Sequence, residues 1–355
     1  MDNSIVISTP PHVKSKRTTR GIMLDVSIAL APAAIAGCVF FGWQALLIIL
    51  MSVFACVATE FIYFFIANKG FAKKCADAKS VCLRWCKQFD FTSVVTGLIL
   101  ALILPTTDKW YQVLYEVIFG AVFAIAIVKM LFGGTGKNIV NPAAAGRIFV
   151  FLSFSVSTFV AANFGALQDG AISGNVVATG ATNLSGYLLN GKDSQLGLLD
   201  LFLGTGVHGC IGETCALAIL IGFVYLSVRN VIKWWQPILY LVVMGFTAVL
   251  MSGFEMDKYA FDMALFLPHI LSGGALFGAV FMFTDYVTSP KGVWGQVVYY
   301  VAAAILTALL RHFTKMEVTS FIILLMNLVT PLIDKYIISK PFGYKKAKKQ
   351  KKEGK

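Results

Sequence analysis

Ten apolar runs dominate the sequence, at 24–42, 44–67, 94–105, 111–132, 145–162, 213–228, 236–252, 262–284, 293–310 and 319–338. Most approach the roughly 20 residues that an α-helix needs to cross ~30 Å of hydrocarbon. In that medium every backbone N–H and C=O has to be satisfied within the protein, which leaves helices as the route across for runs of this length. Hydrophobic residues make up 57% of the chain and charged residues only 14%, against about a quarter charged in a soluble domain. The expected fold is an all-α polytopic membrane protein of about ten transmembrane helices.

Two runs are atypical. Residues 94–105 extend only ~18 Å as a helix and end at Pro105, while 262–284 is interrupted by Pro268 and by Gly273-Gly274. Short or Pro/Gly-broken helices free backbone groups that must face protein or a cavity, as in transporter-like folds. The pentapeptide Phe-Gly-Ala-Val-Phe occurs at 119–123 and again at 277–281. Both copies run in the same direction if all ten runs cross, so the repeat does not establish an inverted symmetry.

The net charge of +12 is placed for a membrane and not for nucleic acid. With the N-terminus inside, all Lys and Arg fall on the cytoplasmic side except Lys109, Lys192, Lys258, Arg311 and Lys315, which is the positive-inside pattern. A polar cytoplasmic segment 1–23 without signal-peptide features precedes the transmembrane domain 24–338. A Lys-rich cytoplasmic tail, 339–355, is expected to stay disordered against anionic lipid. The cytoplasmic loop 68–93 is short, charged and expected to be partly helical. The stretch 163–212 has one lysine, Lys192, and no arginine, and is rich in Gly, Ser, Asn and Asp, so it reads as an extracytoplasmic loop.

Seven cysteines are present. Cys82 and Cys86 have the spacing of one helical turn, and Cys75 lies nearby, but a metal site requires more ligands. They read as free thiols, as do Cys38 and Cys56; a Cys210–Cys215 bridge stays open. Asp25, Glu60, Glu116 and Asp285 lie inside or at the edge of apolar runs. An unpaired charge at the bilayer centre costs about 2.5–3.5 kcal/mol on insertion scales, so such residues often serve ion pathways. Glu60 is the ion-pathway candidate, with a protonated or hydrogen-bonded structural acid as the competing reading. Asp25 and Asp285 are expected to sit at helix ends and cap or bind backbone, and His269 to pack.

Four stretches carry chemistry. Leu131 to Arg147 reads L-F-G-G-T-G-K-N-I-V-N-P-A-A-A-G-R. A P-loop needs a Gly separated by four residues from its Gly-Lys and a Ser or Thr after it; Leu131 and Asn138 stand there, which excludes the ATPase reading. His208 to Leu217, H-G-C-I-G-E-T-C-A-L, places Glu213 at an expected helix start, where the dipole favours an anion. Phe281 to Pro290 reads F-M-F-T-D-Y-V-T-S-P. In the 163–212 loop, Thr179-Gly180-Ala181-Thr182 offers a hydroxyl among small residues, with room for a transferase to attach a bulky group.

Together with the opening S-T-P-P-H and I-M-L-D-V-S-I-A-L-A-P, these stretches resemble the RnfD/NqrB family of membrane flavoprotein subunits from about Ser8 to Asp334. The short N-terminal region favours the RnfD branch, of the Rnf ferredoxin:NAD oxidoreductases. The resemblance implies FMN joined by a phosphoester to Thr182, with Thr179 in the Ser/Thr slot and Gly180 and Ala181 between them. Related motifs place Asp three residues before that slot; here the residue is Val176.

The resemblance also implies a separate flavin transferase, other Rnf subunits as partners, and a noncovalent riboflavin that no motif locates. The chain would then be an electron-carrying subunit of a redox-driven ion translocase in the cell membrane, with both termini cytoplasmic and no catalysis alone. Alternatives are an NqrB-like subunit of a sodium-pumping NADH:quinone oxidoreductase, or a solute channel or transporter. The latter has no use for a flavinylation threonine.

Overall fold

A helix forms within each of the ten apolar runs. The computed structural model describes residues 17–67, 78–106, 110–154, 198–205, 209–255, 263–314 and 317–337, and no strand occurs among the described residues. Helices α1 (Thr19–Phe41) and α2 (Trp43–Ile66) form a hairpin on Gly42. Then come α3 (Ala78–Gln88), α4 (Thr92–Leu102) and α5 (Trp110–Val122), the last continuing as a π-helix over Phe123–Met130. Next are α6 (Pro142–Ser153), α7 (Leu198–Leu203), α8 (Ala216–Val228) and α9 (Trp235–Glu255). The chain closes with α10 (Phe266–Leu271), α11 (Ala275–Phe277) with its π-helical extension Gly278–Met282, α12 (Val293–Thr314) and α13 (Thr319–Tyr336).

Among the described residues, five helices are long and apolar enough to cross a membrane alone, or six if the bent pair α10–α11 counts as one span. Helices α4, α6, α8 and the apolar part of α9 are shorter. Helix α4 shows how a short helix is tolerated. Its end stops inside the protein, where Gly212 N–H donates to Leu102 C=O (2.7 Å) and Ile211 N–H to Leu104 C=O (3.2 Å). A Cβ on Gly212 would stand 2.6 Å from Leu102 Cβ, so only glycine permits this approach. Residues 209–212, the end of the 163–212 region, therefore pack into the protein: Ile211 is fully buried. Part of the same region, α7, is helical.

The break in 262–284 bends the chain by 68°. It falls at Gly273, whose φ is +68°, and not at Pro268. That proline sits within the first turn of α10, which runs on from a 3-10 turn at Met263–Leu265, and the helix continues past it to Leu271.

Packing follows the same order twice. Helix α2 lies against α4 and α5, and α5 against α6; later α9 lies against α10 and α12, and α12 against α13. Contacts of α1 with α8 and of α6 with α13 join the halves. The two Phe-Gly-Ala-Val-Phe copies both lead into π-helices, but they sit in α5 and α11, which are not counterparts in this order.

Candidate functional site

A cavity of about 820 Å3, its open mouth included, lies where α1 begins, α5 and α8 end, and the chain approaches α12. The 131–147 stretch supplies Thr135, Asn138 and Asn141; the 281–290 stretch supplies Thr284 and Asp285. Thr92, Thr96 and Lys129 add to the polar lining, and Met23, Ile99 and Leu226 give apolar surface. Asn141 caps α6 by accepting from Ala143 N–H (3.0 Å) and Ala144 N–H (3.4 Å), with Pro142 at the first helical position. Its amide donates to Met282 C=O at 3.4 Å, which ties the two motif stretches together. Asn138 Oδ1 is buried and accepts no hydrogen bond from the described residues.

Glu60 stands in the last turns of α2 and has a partner that the apolar runs alone do not reveal. Lys129, 1% exposed, donates to Glu60 Oε1 (3.2 Å), to Ser93 Oγ (3.0 Å) and to Thr92 Oγ1. The other Glu60 oxygen, Oε2, is buried without a hydrogen-bond partner among the described residues. Lys129 lies in the π-helical stretch after α5; such insertions are frequent at functional sites. Asp90, in the connection before α4, accepts from Thr92 N–H (3.1 Å) and Thr92 Oγ1 (2.6 Å). Burial pushes its carboxyl up, but hydrogen bonds from Thr92 and Thr135 and the Lys129 charge hold it below its ordinary value.

A second buried cluster surrounds the break between α10 and α11. Arg147 pairs with Glu213 at 3.1 Å and donates to Ser320 Oγ at 3.2 Å and Cys210 Sγ at 3.7 Å. Arg311 pairs with Glu317 and donates to His269 C=O at 3.0 Å. The break is wedged between the two acids: a Cβ on Gly274 would lie 2.5 Å from Glu213 Oε1, and one on Gly273 would strike Glu317 Oε2. Glu213 therefore does not serve the start of α8, which begins at Ala216 with Cys215 as its N-cap. Arg311 is not an outer surface charge, being only 2% exposed.

The other expected residues behave as ordinary structure. Asp25 lies inside α1, whose N-cap is Thr18, and not at its end; it pairs with Arg229 (3.2 Å) and accepts from Tyr225 OH (3.0 Å). Asp285 accepts from Val287 N–H and Thr288 Oγ1, each at 3.2 Å. Glu116 and His269 are buried. The described cysteines are all free, so Cys210 and Cys215 form no bridge. Among the described residues no group of His, Cys, Asp and Glu is placed to hold a metal. Thr179, Gly180, Ala181, Thr182 and Cys75 lie outside the described residues.

Among the described residues, buried Lys129, Arg147 and Arg311 and half-buried Glu317 are charges that the sequence does not single out as site residues. A signal for them exists: basic residues within or beside apolar runs must be paired as surely as acids.

Apolar outer faces around short helices that end inside, a broken helix and buried ion-pair clusters define a polytopic membrane protein of transporter-like architecture. The family described as NQR2, RnfD, RnfE matches residues 6–343, and the chain belongs to it. It is 36% identical over 352 residues to the RnfD component of the Na+-translocating ferredoxin:NAD+ oxidoreductase complex of Acetobacterium woodii, covering 98% of each chain. It is 34% identical over 345 residues to the corresponding component of the proton-translocating ferredoxin:NAD+ oxidoreductase complex of Clostridium ljungdahlii, covering 96% of this chain and 97% of the relative. A component of the ion-translocating oxidoreductase complex of Stutzerimonas stutzeri is 30% identical over 353 residues, covering 91% of each.

Proposed function

We propose that this chain is the RnfD component of an ion-translocating ferredoxin:NAD+ oxidoreductase complex, an electron-carrying part of a redox-driven translocase that is not catalytic alone. The reading is carried by similarity to such components along nearly the whole chain, joined to the Thr179-Gly180-Ala181-Thr182 motif. Thr182 holds FMN through a phosphoester on the extracytoplasmic side, attached by a separate flavin transferase. Such a tether fixes the flavin without consuming its ring chemistry. Other subunits of the complex handle ferredoxin and NAD, and membrane lipid surrounds the helices.

A noncovalent riboflavin fits the cavity by the chemistry of its lining. Asn138 Oδ1 is a buried acceptor in need of a donor, Thr92, Thr96 and Thr135 bring hydroxyls, and Met23, Ile99 and Leu226 offer apolar contact to a flat ring. A flavin bound there supplies one- and two-electron transfer, while the surrounding side chains orient it and set its potential. Glu60, with one oxygen lacking a partner among the described residues, remains the ion-pathway candidate.

The cavity and broken helix also suit a solute channel, and one experiment separates the two readings. The chain is made with a flavin transferase, denatured and run on a gel read by flavin fluorescence. A fluorescent band is expected, lost in Thr182→Val and retained in Thr179→Ala. A non-fluorescent native chain favours the channel; a fluorescent Thr182→Val chain overturns the attachment site.

A further inference from the structure

Lys129 belongs to two settings at once. Its ammonium is bound to Glu60, Ser93 and Thr92, and Lys129 is also one of the residues that line the cavity. The titratable groups that interact with it are Glu60 and Cys56 on α2 and Asp90 before α4, and Asp285 after α11 lines the same cavity. Asp90 and Asp285 are held by hydrogen bonds from Thr92, Val287 and Thr288. Of these acids only Glu60 has an oxygen buried without a partner among the described residues. The carboxylate that depends most on Lys129 is thus the one with an oxygen still to be satisfied.

A buried ammonium follows the nearest uncompensated negative charge, because an unpaired ion in a low-dielectric interior is costly. The flexible four-carbon stem of lysine lets the charge move without displacing a helix. We propose that Lys129 is a positioning residue that couples the charge in the cavity to the ion-holding capacity of Glu60. When an electron's negative charge enters the cavity, the ammonium is drawn off Glu60, and the freed carboxylate takes up one monovalent cation or one proton. One negative charge enters and one positive charge follows, the ammonium stays protonated throughout, and departure of the electron to the redox partners of the complex reverses both. This rests on the reading of the cavity as the place of the noncovalent flavin.

The test uses the whole purified complex as wild type, Lys129→Arg, Glu60→Gln and the double variant Lys129→Gln/Glu60→Gln. The double variant avoids the stranded carboxylate that would endanger folding in Lys129→Gln alone. Noncovalent flavin is measured in acid extracts. Its midpoint potential is recorded across a Na+ series at constant pH and ionic strength, and across a pH series without Na+. The wild-type potential should rise with one of the two ions relative to the double variant, which names the ion. Lys129→Arg should keep this dependence and Glu60→Gln should lose it. Potentials of wild type and double variant that run parallel through both series overturn the role of Lys129. Extracts of the wild-type complex without noncovalent flavin overturn the cavity reading, and the role of Lys129 with it.

Discussion

At the scale of single residues, the most sensitive groups are the arginines with no water to fall back on. Arg147 does not shed its charge and is buried against Glu213, Ser320 and Cys210. Removing one partner of such a pair leaves a buried uncompensated ion and typically costs about 3–5 kcal/mol, whereas an apolar or neutral replacement of both can be nearly neutral. Arg147→Met should therefore lower the melting temperature and yield of the protein in detergent sharply, and Arg147→Met/Glu213→Gln should recover most of the loss. Equal melting of the two variants would show that the pair is not coupled. Asp90 adds a pH dependence from outside the helices. Its carboxyl is held below the ordinary aspartate value of 3.8, so its stabilising effect is full above that value and is lost as the pH falls through the depressed one. Melting curves in acid should show this slope in the wild type and its absence in Asp90→Asn.

At the scale of elements, stability depends on how helix ends are satisfied inside the protein. Gly212→Ala places a Cβ 2.6 Å from Leu102 Cβ, a neighbour fixed by its own backbone. The backbone pairing of Gly212 with Leu102 should break, and folded yield should fall severalfold. Gly21→Ala, whose Cβ meets only Thr18 Oγ1 at 3.5 Å, is the control that should melt no lower than wild type, since alanine favours a helix by ~1 kcal/mol over glycine. Fluorescence-detected gel filtration measures both. Helix positions are legible in the sequence because apolar runs and helices follow from the same backbone constraint. The kink at Gly273 is half legible: the glycine pair marks it, but Pro268 marks it equally and has no share in it, because α10 continues past it to Leu271. The π-helices after α5 and α11 have no signature in periodicity, and the pairing of Lys129 with Glu60 spans elements far apart in sequence. Sorting charges by side of the membrane says nothing of their partners, which hides the interior clusters.

At the scale of the whole molecule, the placement of charge bears on sidedness. Every described Lys or Arg that is exposed lies at the cavity end of the bundle: Arg17 and Arg20 before and in α1, Lys79, Arg84 and Lys87 on α3, then Lys137, Arg229, Lys233, Lys291 and Lys335. Toward the opposite end the described basic residues are Arg147 and Arg311, both buried against acids. Retention of exposed basic residues on the cytoplasmic side is the ground on which we propose that the cavity end is the inner one. Helix α6 starts at that end with Asn141 and runs away from it to Ser153, so on the proposed orientation its last described residues point toward the outer side. The segment that follows in the sequence contains Thr182. A single cysteine at Asn190 in a cysteine-free background should therefore react with an impermeant maleimide added to intact cells. A cysteine at Lys87 on α3 should react only after the membrane is opened. Labelling of Asn190→Cys confined to opened membranes would place the loop inside, invert the orientation and remove the outer position proposed for the FMN.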